Sequence, residues 1–427
     1  MSFARSDART QSVRACLAGL LALIALTAGA ASAAAQDAAT AAVAHWNDVA
    51  SRAFTPTQGT NPLVQSRTYA MLHAALHDTL NAIDPRYAPY TPGLTLARRA
   101  SIEAALAAAA RGTLVALVPD QLVLIENAYA EALARVAEGP AKAGGIAVGQ
   151  AAALATLTRR EHDGLDGATL PVYTPRAAAG DYQFTPPFDV ALLPGWGRMM
   201  PFAIRLKDHR LPGPLPLTSV LYARDLHRIR KIGGANSSSR TEEQSQIAQF
   251  WYEDSPLGWN RIANTVVLGS GMGAWDAARM FALMNFAMAD GFIAGFDAKY
   301  RVRFWRPVTA IHEAGRDANP FTSPDPTWQP FLTTPPVPDY PSTHTVLGAA
   351  AAQVLIHFFG DKVRYSATSL TLPGVTRHFR GFSQAAKENG RSRIYAGIHF
   401  PYAVTHGYQQ GKSIGRAAAR ALPRIRP

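Results

Sequence analysis

The sequence predicts an all-α protein, a set of packed helical bundles joined by long Pro/Gly-rich loops. Three observations carry this. Alanine-rich segments with helical periodicity occupy both ends of the chain, as in "YAMLHAALHDTLNAI" and "WDAARMFALMNFAMAD". Strand-like alternation never persists beyond a few residues. Two stretches dense in Gly, Pro and aromatics separate the periodic blocks, and they read as ordered loops.

Taken in order, residues 1–35 read as a secretory signal peptide. Arg5, Arg9 and Arg14 precede the apolar run "ACLAGLLALIALTAGAA", and small residues follow at the cleavage positions, so a mature start near Ala34 or Gln36 and an exported protein, periplasmic or secreted, are expected. The lone cysteine, Cys16, stands at the start of the apolar run instead of following it, which argues against a lipoprotein anchor and leaves the mature chain without thiols. Residues 36–160 form an N-terminal helical region. Residues 161–240 form a Pro/Gly-rich connecting region, exemplified by "HDGLDGATLPVYTPRAAAGDYQFTPPFDVALLPGWG". Residues 241–427 form a C-terminal helical region, interrupted by "NPFTSPDPTWQPFLTTPPVPDYP". No internal repeat is visible. No mature segment holds about 18 uninterrupted apolar residues, because Asp290 and Asp297 break the longest candidate, so no membrane span is expected after cleavage.

The chain has 427 residues, 48% of them hydrophobic, enough for one large core or two smaller ones. Removing the three arginines and one aspartate of the signal segment lowers the formal charge from +12 to +10. The basic residues are scattered, apart from small clusters such as "RDLHRIRK" (224–231), and no Lys/Arg run with interleaved aromatics suggests a nucleic-acid groove. Attraction of a small anion fits the same charge.

Chemistry concentrates in three segments. In "PDYPSTHTVLGAAAAQVLI", Ser342 is placed to cap a helix over Thr345 to Phe359, and Pro341 stops it from extending backwards. His344 then falls in the first turn, beside unpaired N–H groups and the positive end of the helix dipole, a place that suits an anion. Upstream, "KYRVRFWRP" sets Lys299, Arg303 and Arg306 at i, i+4 and i+7, one face of an expected helix. Downstream, "ENGRSRIYAGIHFPYAVTHGYQQGKSIG" carries Ser392, Arg393, His399 and His406.

Together these segments, Lys-x6-Arg-Pro, Pro-Ser-x-His and Ser-Arg-x5-His, resemble the signature of the vanadium-dependent haloperoxidase and type-2 phosphatidic acid phosphatase superfamily. The upstream "RTYAMLHAALHDTLNAID" and "LLPGWGRMMPFAI" resemble its soluble, exported bacterial branch. The resemblance implies a helical bundle of the haloperoxidase/acid phosphatase type, with the three motifs meeting at one end. It implies that Lys299, Arg306 and Arg393 neutralise a tetrahedral oxyanion and that Ser342 and the N–H of Thr343 complete the cradle. His399 would be the ligand of the vanadate cofactor and His344 the acid/base, with Lys299 polarising the peroxide for attack by halide. The implied partners are small: hydrogen peroxide and halide. A phosphoesterase using the same residues, with a phosphohistidine at His399 and no cofactor, is the alternative, since phosphate and vanadate are near-isosteric. A catalytically silent oxyanion-binding protein is the second.

Three positions depart from the family pattern. Thr343 stands where a glycine is usual and is expected to narrow the pocket. Ala403 stands where an aspartate normally orients the ligand histidine, so a partner for His399 must come from elsewhere, His406 or a backbone carbonyl. Val337 replaces the aromatic residue that fungal chloroperoxidases of the family carry near the halide. His73 and His77, followed by Asp78, share a helix face, but without a third ligand they read as packing residues.

Overall fold

The computed structural model describes residues 38–54 and 61–425; the signal segment expected at 1–35 lies outside them. Helix α1 (residues 38–53) and α2 (Pro62–Ile83) lead into α3 (Ile102–Leu117), α4 (Leu122–Ala134) and α5 (Pro140–Arg159). A long irregular stretch then reaches α6 (Val220–Gly233), followed by α7 (Glu242–Phe250), α8 (Ser255–Leu268) and α9 (Ala274–Val302). The last part holds α10 (Pro307–His312), α11 (Thr343–Phe359), the strands β1 (Tyr365–Ala367) and β2 (Arg377–Phe379), α12 (Phe382–Tyr395) and α13 (Pro401–Ala418). The antiparallel hairpin pairs Tyr365 with Phe379 and Ala367 with Arg377. At three residues per strand, it is too short to leave a period in the sequence. Helix α6 falls inside the region expected to be only a connection: Ser219 caps it by accepting from the Tyr222 N–H, and of "RDLHRIRK" the basic residues face outward while Asp225, Leu226 and Ile229 are buried.

The centre is α9, 29 residues of mostly straight-chain, alanine-rich sequence that packs against α2, α11 and α13. It is apolar nearly all round and buried nearly all round. Each buried Phe, Leu or Met on it, such as Phe281, Leu283 and Met284, contributes about 1.5–3 kcal/mol by leaving water. Asp290 interrupts this run because it has partners: it accepts from the N–H groups of Ala203 at 2.8 Å and Ile204 at 3.1 Å, and from Phe202, pinning the connecting loop to the helix. Burial pushes its carboxyl up to about 7, against the pull of those donors. Helix α13 lies close on α11 because Gly407, Gly411 and Gly415 recur every fourth residue. A Cβ at Gly411 would fall 2.1 Å from the Val346 carbonyl. Among the described residues no helix is long and apolar enough to cross a membrane.

The helical pair His73 and His77 is part of this packing. His73 is fully buried and stacked between Tyr69 and Phe281, with Nε2 at 3.0 Å from Asn47 Oδ1; burial drives it down to about 3. Asp78 turns away to accept from the N–H groups of Tyr90 and Thr91.

Candidate active site

The three motif segments meet at one cleft of about 330 Å³. Its cationic floor carries Arg306, Arg393, His344 and His399, together with Thr343. The expected single helix over "KYRVRFWRP" does not form. Helix α9 stops at Val302 because Arg303 adopts the left-handed conformation (φ 59°) and reverses the chain, its N–H donating to the Lys299 carbonyl. Arg303 then reaches away to the Thr174 carbonyl and the Tyr173 ring, and Arg306 becomes the residue preceding α10. The face that Lys299 shares is that of Phe292 and Phe296, at i−7 and i−3, and both phenylalanines line the cleft.

Lys299 and Ser342 stand behind the wall, both fully buried. The Lys299 ammonium donates to the carbonyls of Pro338 and, at 3.0 Å, Asp339. Ser342 occupies the N-cap position of α11, but its hydroxyl caps no backbone group. It accepts from Thr345 Oγ1 at 2.9 Å, which leaves its own proton to donate.

His399 is held from both sides. Its Nδ1 lies 2.9 Å from Asp339 Oδ1, and Arg306 Nη1 lies 3.1 Å from its Nε2. Since Arg can only donate and a carboxylate can only accept, the proton sits on Nδ1 and a lone pair is presented at Nε2. Asp339 is therefore the partner that Ala403 cannot be. The expectation of His406 in this role fails, because His406 bonds the Tyr340 hydroxyl at 2.7 Å. Ala403 keeps a part through its backbone, accepting the Ser342 N–H at 3.1 Å.

His344 is also clamped. Asn389 Nδ2 lies 3.0 Å from its Nε2 and Ser255 Oγ lies 2.9 Å from its Nδ1. With the Asn389 amide assigned so that Nδ2 donates, the histidine proton is on Nδ1 and faces Ser255, which itself lines the cleft. Thr343 does not crowd the floor as expected. Its Cγ2 methyl is accommodated by Gly295 on α9, where a Cβ would lie only 2.2 Å away.

The electrostatics are lopsided. Lys299, Arg306 and Arg393 are buried together, and Asp339 is the one carboxylate pulling on Lys299 and Arg306. Burial lowers all three cations, Arg393 to about 10, with Arg306 lowering it further. Burial likewise holds His344 and His399 well below the ordinary histidine value, and neighbouring cations add to it. Burial pushes Asp339 up to about 7, opposed by Arg306 and Lys299. Arg393 donates from Nη1 to the Trp251 carbonyl at 3.0 Å, while its buried Nε has no partner. A tetrahedral oxyanion on this floor would supply the missing negative charge and the missing acceptors, so these residues fit vanadate or phosphate.

Fold and floor thus define a mostly helical protein with a buried cluster of cations and histidines at one cleft. Residues 279–426 match the family model described as the VCPO second helical-bundle domain. The vanadium chloroperoxidase of Curvularia inaequalis is 24% identical over 237 residues, 40% of this chain and 38% of that protein, so the match spans well under two thirds of the curated relative. The crystal structure of the first bacterial vanadium-dependent iodoperoxidase superposes with a TM-score of 0.76 at 26% identity, covering 92% of this chain and 98% of that one. An apo bacterial vanadium-dependent chloroperoxidase shares the fold, with a TM-score of 0.70 at 18% identity over 84% of this chain and 92% of its own. The C-terminal part of the chain thus carries the VCPO second helical-bundle domain, and the chain as a whole is similar in fold to these bacterial vanadium-dependent haloperoxidases.

Four residues had no signal in the sequence: Ser255 and Asp254, which line the cleft, and Asp339 and Asn389, which stand behind it and hold its histidines. Asp339 lies within the quoted "PDYPSTH" segment, but it acts on a histidine 60 positions away. Ser255 and Asp254 sit at the start of α8 and Asn389 in the middle of α12, where helical periodicity says nothing about which polar side chain meets a distant histidine.

Proposed function

We propose that this chain is an exported, vanadate-dependent haloperoxidase-like enzyme that oxidises halide with hydrogen peroxide to hypohalous acid. One observation carries the reading: His399 offers Nε2 as a lone pair, with Nδ1 fixed by Asp339, inside a buried floor where Lys299, Arg306 and Arg393 face the single carboxylate of Asp339. Likeness over 92% of the chain to a bacterial iodoperoxidase supports the peroxidase reading over the phosphoesterase one. Asp339 removes the ground for a silent site, since the partner missing at Ala403 is supplied from another loop.

In this reading His399, through Nε2, would hold the vanadate, and Arg306 and Arg393 would balance its charge, Arg306 giving up its bond to the histidine. When bound, vanadate supplies a Lewis acid that activates peroxide toward halide without changing its own oxidation state. The protein's part is charge and protons. Asp339 keeps His399 in the ligating tautomer. Lys299 ties down the Pro338–Asp339 backbone and adds positive potential behind the floor. His344, neutral because it is buried beside Arg393, would take up a proton lost by peroxide at Nε2, giving up its bond from Asn389. Ser255 lies between its Nδ1 and the cleft.

The test is to equilibrate purified protein with orthovanadate and assay peroxide-dependent iodination and bromination beside phosphate-ester hydrolysis. Peroxide-dependent halogenation is expected, lost in His399→Ala together with vanadate binding. It should fall by about 10²–10⁴-fold in His344→Ala with the anion still bound. Hydrolysis of esters without halogenation would establish the phosphoesterase instead.

A further inference from the structure

The cleft is larger and more apolar than peroxide and halide require. At about 330 Å³ it has roughly ten times the ~30 Å³ share of a single water molecule. Above the cationic floor its walls are Leu63, Leu192, Phe292, Phe296, Pro336 and Val337. Two carboxylates line one wall: Glu253 is paired with Arg261, whereas Asp254 has no such partner and contradicts both the apolar surroundings and the anion chemistry. A carboxylate there repels an oxyanion or a halide, so it does not belong to the machinery proposed above. No Lys or Arg among the described residues forms an ion pair with it. It occupies the N-cap position of α8, yet its side chain caps no N–H of that helix. Gln65 Nε2 donates to its Oδ2 at 2.9 Å and fixes its orientation, while Oδ1 accepts nothing from the described residues. Burial raises its pKa, which agrees with a carboxyl kept from water without a cation.

We propose that the upper cleft binds an aromatic molecule bearing a hydroxyl group. Its ring packs against Phe292, Phe296 and Val337, its hydroxyl donates to Asp254 Oδ1, and this molecule is the acceptor of the halogen. The binding part stands by itself; the acceptor role rests on the haloperoxidase reading. A ring fits because the walls are apolar and partly aromatic and the volume suits one or two fused rings, at the small end of ligand pockets. A hydroxyl fits because an ionised carboxylate can only accept. It also aids the chemistry, since a phenol whose proton is drawn toward a carboxylate has a more electron-rich ring. The step balances. A ring carbon gives an electron pair to the halogen of hypohalous acid, the halogen–oxygen bond breaks, and the released hydroxide takes the proton from that carbon and leaves as water.

The test is calorimetric titration of the full chain, without peroxide, with 2-naphthol and with 2-methoxynaphthalene, which has the same rings and no donor. The naphthol should bind roughly 10- to 100-fold more tightly, the contribution of one hydrogen bond to a charged acceptor. In Asp254→Ala the naphthol should fall to the affinity of the ether, while the ether stays within about two-fold, which also reports that the cleft remains folded. Equal affinities for the two compounds in the native protein would overturn the proposal, as would discrimination that survives in Asp254→Ala, or no naphthol binding at all. Naphthol binding in a protein that never oxidises halide would leave the binding site standing and overturn the function. Halide oxidation without naphthol binding would overturn the acceptor site alone.

Discussion

Replacing Asp339 separates two ways of holding an anion. Asp339→Asn preserves shape at a site with no solvent exposure, so solvent cannot compensate for the lost charge. Two effects oppose each other. The floor gains one positive charge, and at an effective dielectric of ~20 and a separation of about 6 Å that favours a bound anion by roughly 3 kcal/mol. His399 loses its carboxylate partner. An amide is a weaker acceptor and can instead offer its N–H to Nδ1, moving the proton to Nε2 and closing the lone pair, at a cost typical of such supporting residues, about 10–100-fold or ~1.4–2.7 kcal/mol. The charge effect acts on any anion of the same shape, while the tautomer effect acts only on one bonded to His399. The diagnostic is therefore the ratio of vanadate to phosphate affinity, with each anion titrated at the same pH and salt. This ratio should fall 10–100-fold in Asp339→Asn while phosphate affinity holds or rises. His406→Ala, which removes a partner of Tyr340, should leave the ratio within about two-fold. An unchanged ratio in Asp339→Asn would refute the assignment of Asp339 as the group that orients His399.

Gly295→Ala should cost about 1–3 kcal/mol of unfolding free energy by overpacking against Thr343, and Thr343→Gly in the same chain should recover most of it; urea denaturation of the two singles and the double gives the coupling. Ser255→Ala should lower turnover while shifting the pH–rate profile of the loaded enzyme, because His344 loses the partner of its Nδ1; a fall in turnover at an unmoved profile would make Ser255 a packing residue only. His73, driven down to about 3 by burial, takes its proton only on unfolding, so its contribution is complete above about pH 6.5 and is lost as the solution is acidified toward 3. His73→Gln should therefore be less stable at pH 7 but lose less stability between pH 7 and 5 than the native chain, measured as urea midpoints at both values.

The sequence by itself determined the helical class, since the 3.6-residue period of segments such as "YAMLHAALHDTLNAI" and the punctuation of the Pro/Gly loops are local properties. It also named Arg306, Arg393, His344 and His399, because their spacing within short motifs is linear information. It misjudged what depends on where the chain turns. One residue in the left-handed conformation, Arg303, ends α9 and sends three basic residues in three directions, which no periodicity anticipates. Only tertiary structure decided that Asp339 stands beside His399 where Ala403 offers no carboxylate, that Gly295 makes room for the Thr343 methyl, and that Asp254 lines the cleft held by Gln65 and by no cation among the described residues. The physical reason is the same in each case. A hydrogen bond, a close backbone approach and a counter-charge depend on distance in space, and these pairs are 60, 48 and, from Asp254 to Gln65, 189 positions apart along the chain.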